Sequence, residues 1–147
     1  MHEEFMREAL ALAHEAQAAG EVPVGAIVVV GDEIVGRGRN SQIGSNDPTA
    51  HAEMLAVREA CRRVGNYRLA GATVYSTLEP CVMCAGALVA ARVETLVFAA
   101  RDLRFGGVRS KFQLADSEIL NHRVEIVEGV LAVEAVRLLQ SFFAPLR

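Results

Sequence analysis

The sequence predicts a three-layer α-β-α fold of the α/β class, with a mixed five-stranded sheet carrying helices on both faces. Two observations predict it. Short runs rich in β-branched and apolar residues at 25–30, 72–78, 95–100 and 124–127 are separated, for the most part, by longer stretches with apolar residues at helical spacing. The first of these runs meets the turn residues Gly31, Asp32 and Glu33, after which Ile34 and Val35 resume a strand, so the sheet opens with a hairpin. Strands that then alternate with helices require crossovers, which add a parallel portion to an antiparallel start.

In chain order, Phe5, Ala9, Leu12, Ala16 and Ala19 define an amphipathic helix over 3–19, closed by Gly20. The hairpin follows. The stretch 40–49, with Asn40, Ser41, Gly44, Ser45, Asn46, Asp47 and Pro48, reads as a loop. Asp47 then caps a helix that has Pro48 in its first position and runs through Met54, Leu55, Val57, Ala60 and Val64 to Gly65. After the strand at 72–78, Pro80 starts a second helix through Cys81, Cys84, Leu88 and Val89. The strand at 95–100 leads into a polar stretch with Arg101, Asp102, Arg104, Arg109 and Lys111. A last strand at 124–127 and an apolar helix at 131–143, stopped by Pro145, complete one domain over 1–147.

At 147 residues the chain buries a core without staples, and three cysteines do not make a disulfide framework. With no signal peptide and no apolar run long enough to span a bilayer, the expected location is the cytoplasm, with no membrane partner. A net charge of −3 excludes a general basic footprint for nucleic acid, but leaves room for a local patch.

The chemistry is concentrated in two short motifs, His51-Ala52-Glu53 and Pro80-Cys81-Val82-Met83-Cys84. A lone Cys-x-x-Cys is also a redox motif or half of a zinc ribbon, and a histidine at a helix start is usually a cap or core residue. Here no second Cys-x-x-Cys exists, and His-x-Glu occurs with Pro-Cys-x-x-Cys in one chain. Cys81 and Cys84 share one side of a helix and His51 adds a third ligand, giving a Zn2+ site with one position open for water, as a catalytic zinc requires. Glu53 stands two residues from His51 as a carboxylate free of the metal, suited to move protons. Residues two apart do not share a helix face, so the reacting atom is expected near the helix tip. The chemistry such a site allows includes adding activated water to a ring carbon that bears an amine, giving a carbonyl and ammonia. Cys61 lies on the same helix about 15 Å further along its axis, and reads as a packing residue. His2, His14 and His122 lack ligand spacing to the cluster and read as surface or structural residues.

Beyond those motifs, the segments EVPVGA (21–26), DPTAHAEM (47–54), NYRL (66–69), TLEPCVMCAGA (77–87), Arg101-Asp102 and NHRVEIVEGVL (121–131) make the chain resemble the bacterial tRNA-specific adenosine deaminases of the cytidine-deaminase-like superfamily. The zinc motifs are common to that superfamily; EVPVGA, NYRL and NHRVEI point to this branch.

The resemblance implies the cytidine-deaminase-like fold, a homodimer, a zinc requirement, and hydrolysis of the wobble adenosine of an arginine tRNA to inosine in the anticodon stem-loop. It also implies that Asn40 holds the target nucleotide, Pro23 and Val24 form pocket walls, Asp102 contacts the anticodon-loop backbone, and Phe142 and Phe143 contribute aromatics from the terminal helix. Without it Asn40 is a loop former and the two phenylalanines are core. Arg37, Arg39, Arg101, Arg104, Arg109 and Lys111 are candidates for a local phosphate track, or equally for an ordinary solvated surface. In two places the chain departs from the family: Leu103, Phe105, Val108 and Arg109 stand where a small, glycine-rich turn is usual, and the chain ends soon after Phe143. The rival readings are a deaminase of a free base or nucleoside such as guanine or cytidine, and a noncatalytic RNA-binding subunit. Retention of Glu53 argues against the second.

Overall fold

The structure, a computed structural model, describes residues 1–146. Five strands, β1 (Gly25–Val30), β2 (Glu33–Arg39), β3 (Thr73–Leu78), β4 (Thr95–Ala100) and β5 (Glu125–Glu128), form one sheet in the order β2-β1-β3-β4-β5. β1 pairs antiparallel with both β2 and β3, whereas β3, β4 and β5 run parallel. The sheet is therefore mixed, as expected.

Alternation along each strand makes the two layers. Ala26, Val28, Val74, Leu96 and Phe98 face α3 (Ala52–Val64) and α4 (Val82–Ala90), which contribute Ala52, Ala56, Ala60, Ala85 and Leu88. The intervening Ile27, Val29, Tyr75, Val97 and Ala99 face α1 (His2–Ala18) and α5 (Ala132–Phe143), which contribute Met6, Ala9, Leu10 and Ala135. A period of two thus sends consecutive apolar residues to opposite cores. The strands read as unbroken apolar runs because both faces are covered.

Glycine sets how closely helix and strand approach. A Cβ on Gly36 or Gly38 of β2 would meet the backbone carbonyls of Ala56 and Ala52 in α3, and a Cβ on Gly25 would meet the carbonyl of Ala9 in α1. The start of α3 is held against the sheet by this contact.

Two local expectations are corrected, and the polar stretch after β4 takes a form the sequence left open. The predicted loop at 40–49 contains a short helix, α2 (Gln42–Ser45). Asp47 does not cap α3; its Oδ1 accepts from the backbone and hydroxyl of Thr49 at 2.8 and 2.7 Å, closing a local turn, and α3 begins at Ala52 with His51 as N-cap. The competing local hydrogen bond won over the cap. No helix joins β4 to β5 either. Residues 101–124 cross over as an irregular connection, tied down by backbone bonds from Gly107 to Pro80 and from Val124 to Ala115, both 2.8 Å. The chain closes with a 3-10 turn over Ala144–Leu146.

Candidate active site

Two helix tips make the site. His51 and Cys81 are the N-cap residues of α3 and α4, with extended ψ of 149° and 178°, and neither side chain caps its own helix. An N-cap side chain ordinarily turns back to an amide of the first turn. Here both side chains turn to each other. His51 Nδ1 lies 3.6 Å from the sulfurs of both Cys81 and Cys84, and the three donor atoms all fall within 4.8 Å of one another. Tetrahedral zinc with ordinary Zn–N and Zn–S bonds requires N···S separations of roughly 3.5 Å, so the donor set fits zinc in both chemistry and spacing.

The backbone left uncapped by His51 is served from elsewhere. Asn40, 6% exposed, accepts from Ala52 N at 3.0 Å through Oδ1, and donates from Nδ2 to the carbonyl of Val22 at 3.1 Å. It joins the end of β2 to the start of α3.

Electrostatics set the two thiols apart. The hydrogen bond from the Cys84 thiol pulls the Cys81 thiol down to about 4 against its burial, and His51 adds to the pull. Cys84 is pushed up in turn by the Cys81 thiolate and by burial, while His51 is raised chiefly by its hydrogen bond to Cys81. Glu53, only 4% exposed, is raised by burial to about 7. A carboxyl that ionises there both gives and takes protons near neutral pH.

From this floor a cavity of about 730 Å³ opens to solvent. Val24 and Asn40 line it, as do Asp102 and Phe143. Pro23 is buried but does not reach the wall; its place is taken by Val22, because successive residues of an extended chain point opposite ways. Phe142 does not reach it either, and packs edge-on against Phe143 with centroids 5.1 Å apart. Asp102 Oδ1 accepts from the amides of Arg104 and Phe105, both at 3.1 Å, so part of its carboxylate is engaged in ordering its own turn.

The basic candidates separate. Arg104 and Lys111 line the cavity at exposed positions and take part in no ion pair among the described residues. Arg101, also on the wall, forms a two-pronged pair with Glu128 at 2.7 and 3.0 Å. Arg109 is spent on Asp116, with both bonds at 2.9 Å, and Arg37 and Arg39 do not line the cavity.

Sequence reasoning missed Val22, Gln42, Leu139 and above all Glu79, all on the wall. Glu79 carried one legible signal, a carboxylate between an apolar strand and the proline of the metal motif. The remaining sequence expectations stand apart from the site: Cys61 packs half-buried against the α3–α4 core, and His122 Nε2 pairs with the carbonyl of Val93 at 2.7 Å.

Residues 1–100 match the family model for the cytidine and deoxycytidylate deaminase zinc-binding region. The chain is 50% identical over 145 residues to a tRNA-specific adenosine deaminase of Aquifex aeolicus, covering 99% of this chain and 95% of that protein. Among solved structures, one from a study of A-to-I editing by tRNA:A34 deaminases superposes with a TM-score of 0.88 at 37% identity, covering 92% of this chain and 98% of that one. A guanine deaminase from Nitrosomonas europaea superposes with a TM-score of 0.84 at 25% identity, over 97% and 84% of the two chains.

Proposed function

The chain belongs to the tRNA-specific adenosine deaminase family, and we propose that it hydrolyses the wobble adenosine of an arginine tRNA with an ACG anticodon to inosine. The observation that carries this reading is the continuity of the cavity. Its floor holds Glu53, His51 and Cys81, with Cys84 buried behind them, and its exposed end presents the cations Arg104 and Lys111 beside Phe105 and Phe112. Cations meet phosphates and aromatic rings stack on bases, which is what a single-stranded loop offers.

Zinc bound by His51, Cys81 and Cys84 supplies the Lewis acidity that readies a water at neutral pH. Glu53 takes a proton from the attacking water and delivers it to N1 of the adenine ring. The ring carbon that bears the amine becomes electrophilic and accepts the water oxygen. Glu53, ionised again, then takes the proton of the new hydroxyl and passes it to the amine; the C–N bond breaks, ammonia leaves and the carbon becomes a carbonyl. Asn40, fixed at both ends, holds one further amide N–H for the nucleotide, and Val24 packs on the base. Entry costs little, because a loop base is already partly unstacked.

The assembly we propose is a homodimer, supported by α4. That helix is apolar around its circumference, yet Val82, Gly86 and Ala90 are exposed and Met83 and Ala87 half-exposed, a pattern of a helix that is covered. The location we propose is the cytoplasm, where the substrate is; no described helix is long and apolar enough to cross a membrane.

The likeness to a guanine deaminase favours one alternative, a free base as substrate. Zinc-loaded protein given the anticodon stem-loop, adenosine, cytidine and guanine in parallel separates the two. Inosine appearing at the wobble position alone supports the tRNA reading. Ammonia released from a free base or nucleoside, with the stem-loop untouched, overturns it.

A further inference from the structure

Glu79 is 2% exposed and stands at the end of β3, one residue before the proline that introduces Cys81. Its carboxylate accepts from the amides of Asp102 (3.1 Å), Val108 (3.1 Å), Arg109 (2.7 Å) and Ser110 (2.9 Å), and from the hydroxyl of Ser110. All five donors belong to one stretch of the irregular connection. That stretch also touches the metal turn directly: Cys81 pairs with Gly106 in an isolated bridge, and the Gly107 amide donates to the carbonyl of Pro80. Both glycines are required by this contact, since a Cβ on Gly106 would fall on the Glu79 carboxylate and one on Gly107 would meet the backbone of Cys81 and Val82. Burial raises the Glu79 carboxyl, but the hydrogen bonds from Ser110 and the backbone amides outweigh it and hold the group below the usual carboxylate range.

The outer residues of the same stretch, Leu103, Arg104 and Phe105, are exposed and line the cavity mouth. They have no helix or strand of their own to fix them. We propose that Glu79 is a positioning residue that gathers residues 102–110 onto the turn bearing Cys81, so that the rim receiving the strand beside the reacting base is set from the metal floor. This rests on the tRNA reading for its substrate, but not for its structural half.

Two variants of the full zinc-loaded chain test it, Glu79→Gln and Ser110→Ala. Glutamine keeps the volume but turns an NH2 group towards backbone donors. For Glu79→Gln we expect amide hydrogen exchange at 102 and 108–110 to quicken and KM for the anticodon stem-loop to rise by about tenfold or more, the scale of a lost hydrogen bond to a charged acceptor. Zinc should stay at one per chain, and kcat should fall by no more than about threefold, because the proton carrier is elsewhere. Ser110→Ala should show the same division at smaller size, and decides the matter if Glu79→Gln does not fold. Unchanged exchange, or zinc and kcat lost together with KM unmoved, overturns the proposal. If the wild type ignores the stem-loop, the tRNA reading falls by itself; exchange still reads the anchoring, and KM is then taken on whichever substrate is turned over.

Discussion

Glu53 and its neighbours separate two jobs that often fall on one residue. The donor atoms of His51, Cys81 and Cys84 converge as a metal site requires, and Glu53 is not among them. Glu53→Gln should therefore keep its zinc, measured by atomic emission, while turnover falls by about 10²–10⁴, the range for losing a general acid–base group. Loss of zinc in that variant would mean that the carboxylate holds the site together. A second residue-scale consequence concerns Asp116. The hydrogen bond from the Arg109 guanidinium holds its carboxyl below the ordinary value of 3.8 against the opposing effect of burial. A depressed folded value stabilises the fold above that ordinary value, and the contribution is lost as pH falls through the lower one. The difference in thermal midpoint between wild type and Asp116→Asn should be present at neutral pH and shrink below about pH 3.8. A difference that persisted at pH 2 would assign it to packing.

At the scale of elements, the approach of β2 to α3 makes a glycine far from the chemistry matter to it. Gly38→Val would press on the carbonyl of Ala52, next to His51 in the chain. We expect a loss of about 1–3 kcal/mol in urea unfolding, as for other overpacked cores, and weaker zinc retention. Full zinc retention at reduced stability would show that the α3 tip adapts independently. The same elements mark what the sequence made legible. Strands β1, β3 and β4 were readable almost to the residue, because both of their faces are buried and their apolar runs are continuous. The metal ligands were readable because His51, Cys81 and Cys84 need only their types and spacing. The start of α3 was misread, since Asp47 found Thr49 before it could find a helix amide. Glu79 was passed over because its partners lie in a connection without periodicity, where no local pattern announces which amides will converge.

For the whole molecule, α4 presents an apolar face to solvent in the single chain, the face we propose a second copy covers. Nothing lies within 4 Å of a Cβ placed on Gly86, so an arginine there fits the isolated chain and perturbs only what covers it. Light scattering should give the wild type twice the 15.8 kDa of one chain, and Gly86→Arg a mass near 15.8 kDa. An unchanged mass would remove this face of α4 from the dimer contact. The cavity, meanwhile, draws on the chain in an uneven way. Asn40, His51, Glu53 and Cys81 all come before the end of β4, whereas Asp102, Arg104, Phe105, Lys111, Phe112, Leu139 and Phe143 all come after it. The reacting groups thus lie wholly in the earlier portion, which also gives the inner wall with Val22, Val24 and Gln42, while the later portion gives the outer rim. A lineage could drift within the rim, so long as the donors to Glu79 are kept, and change what the mouth receives while inheriting the old chemistry intact.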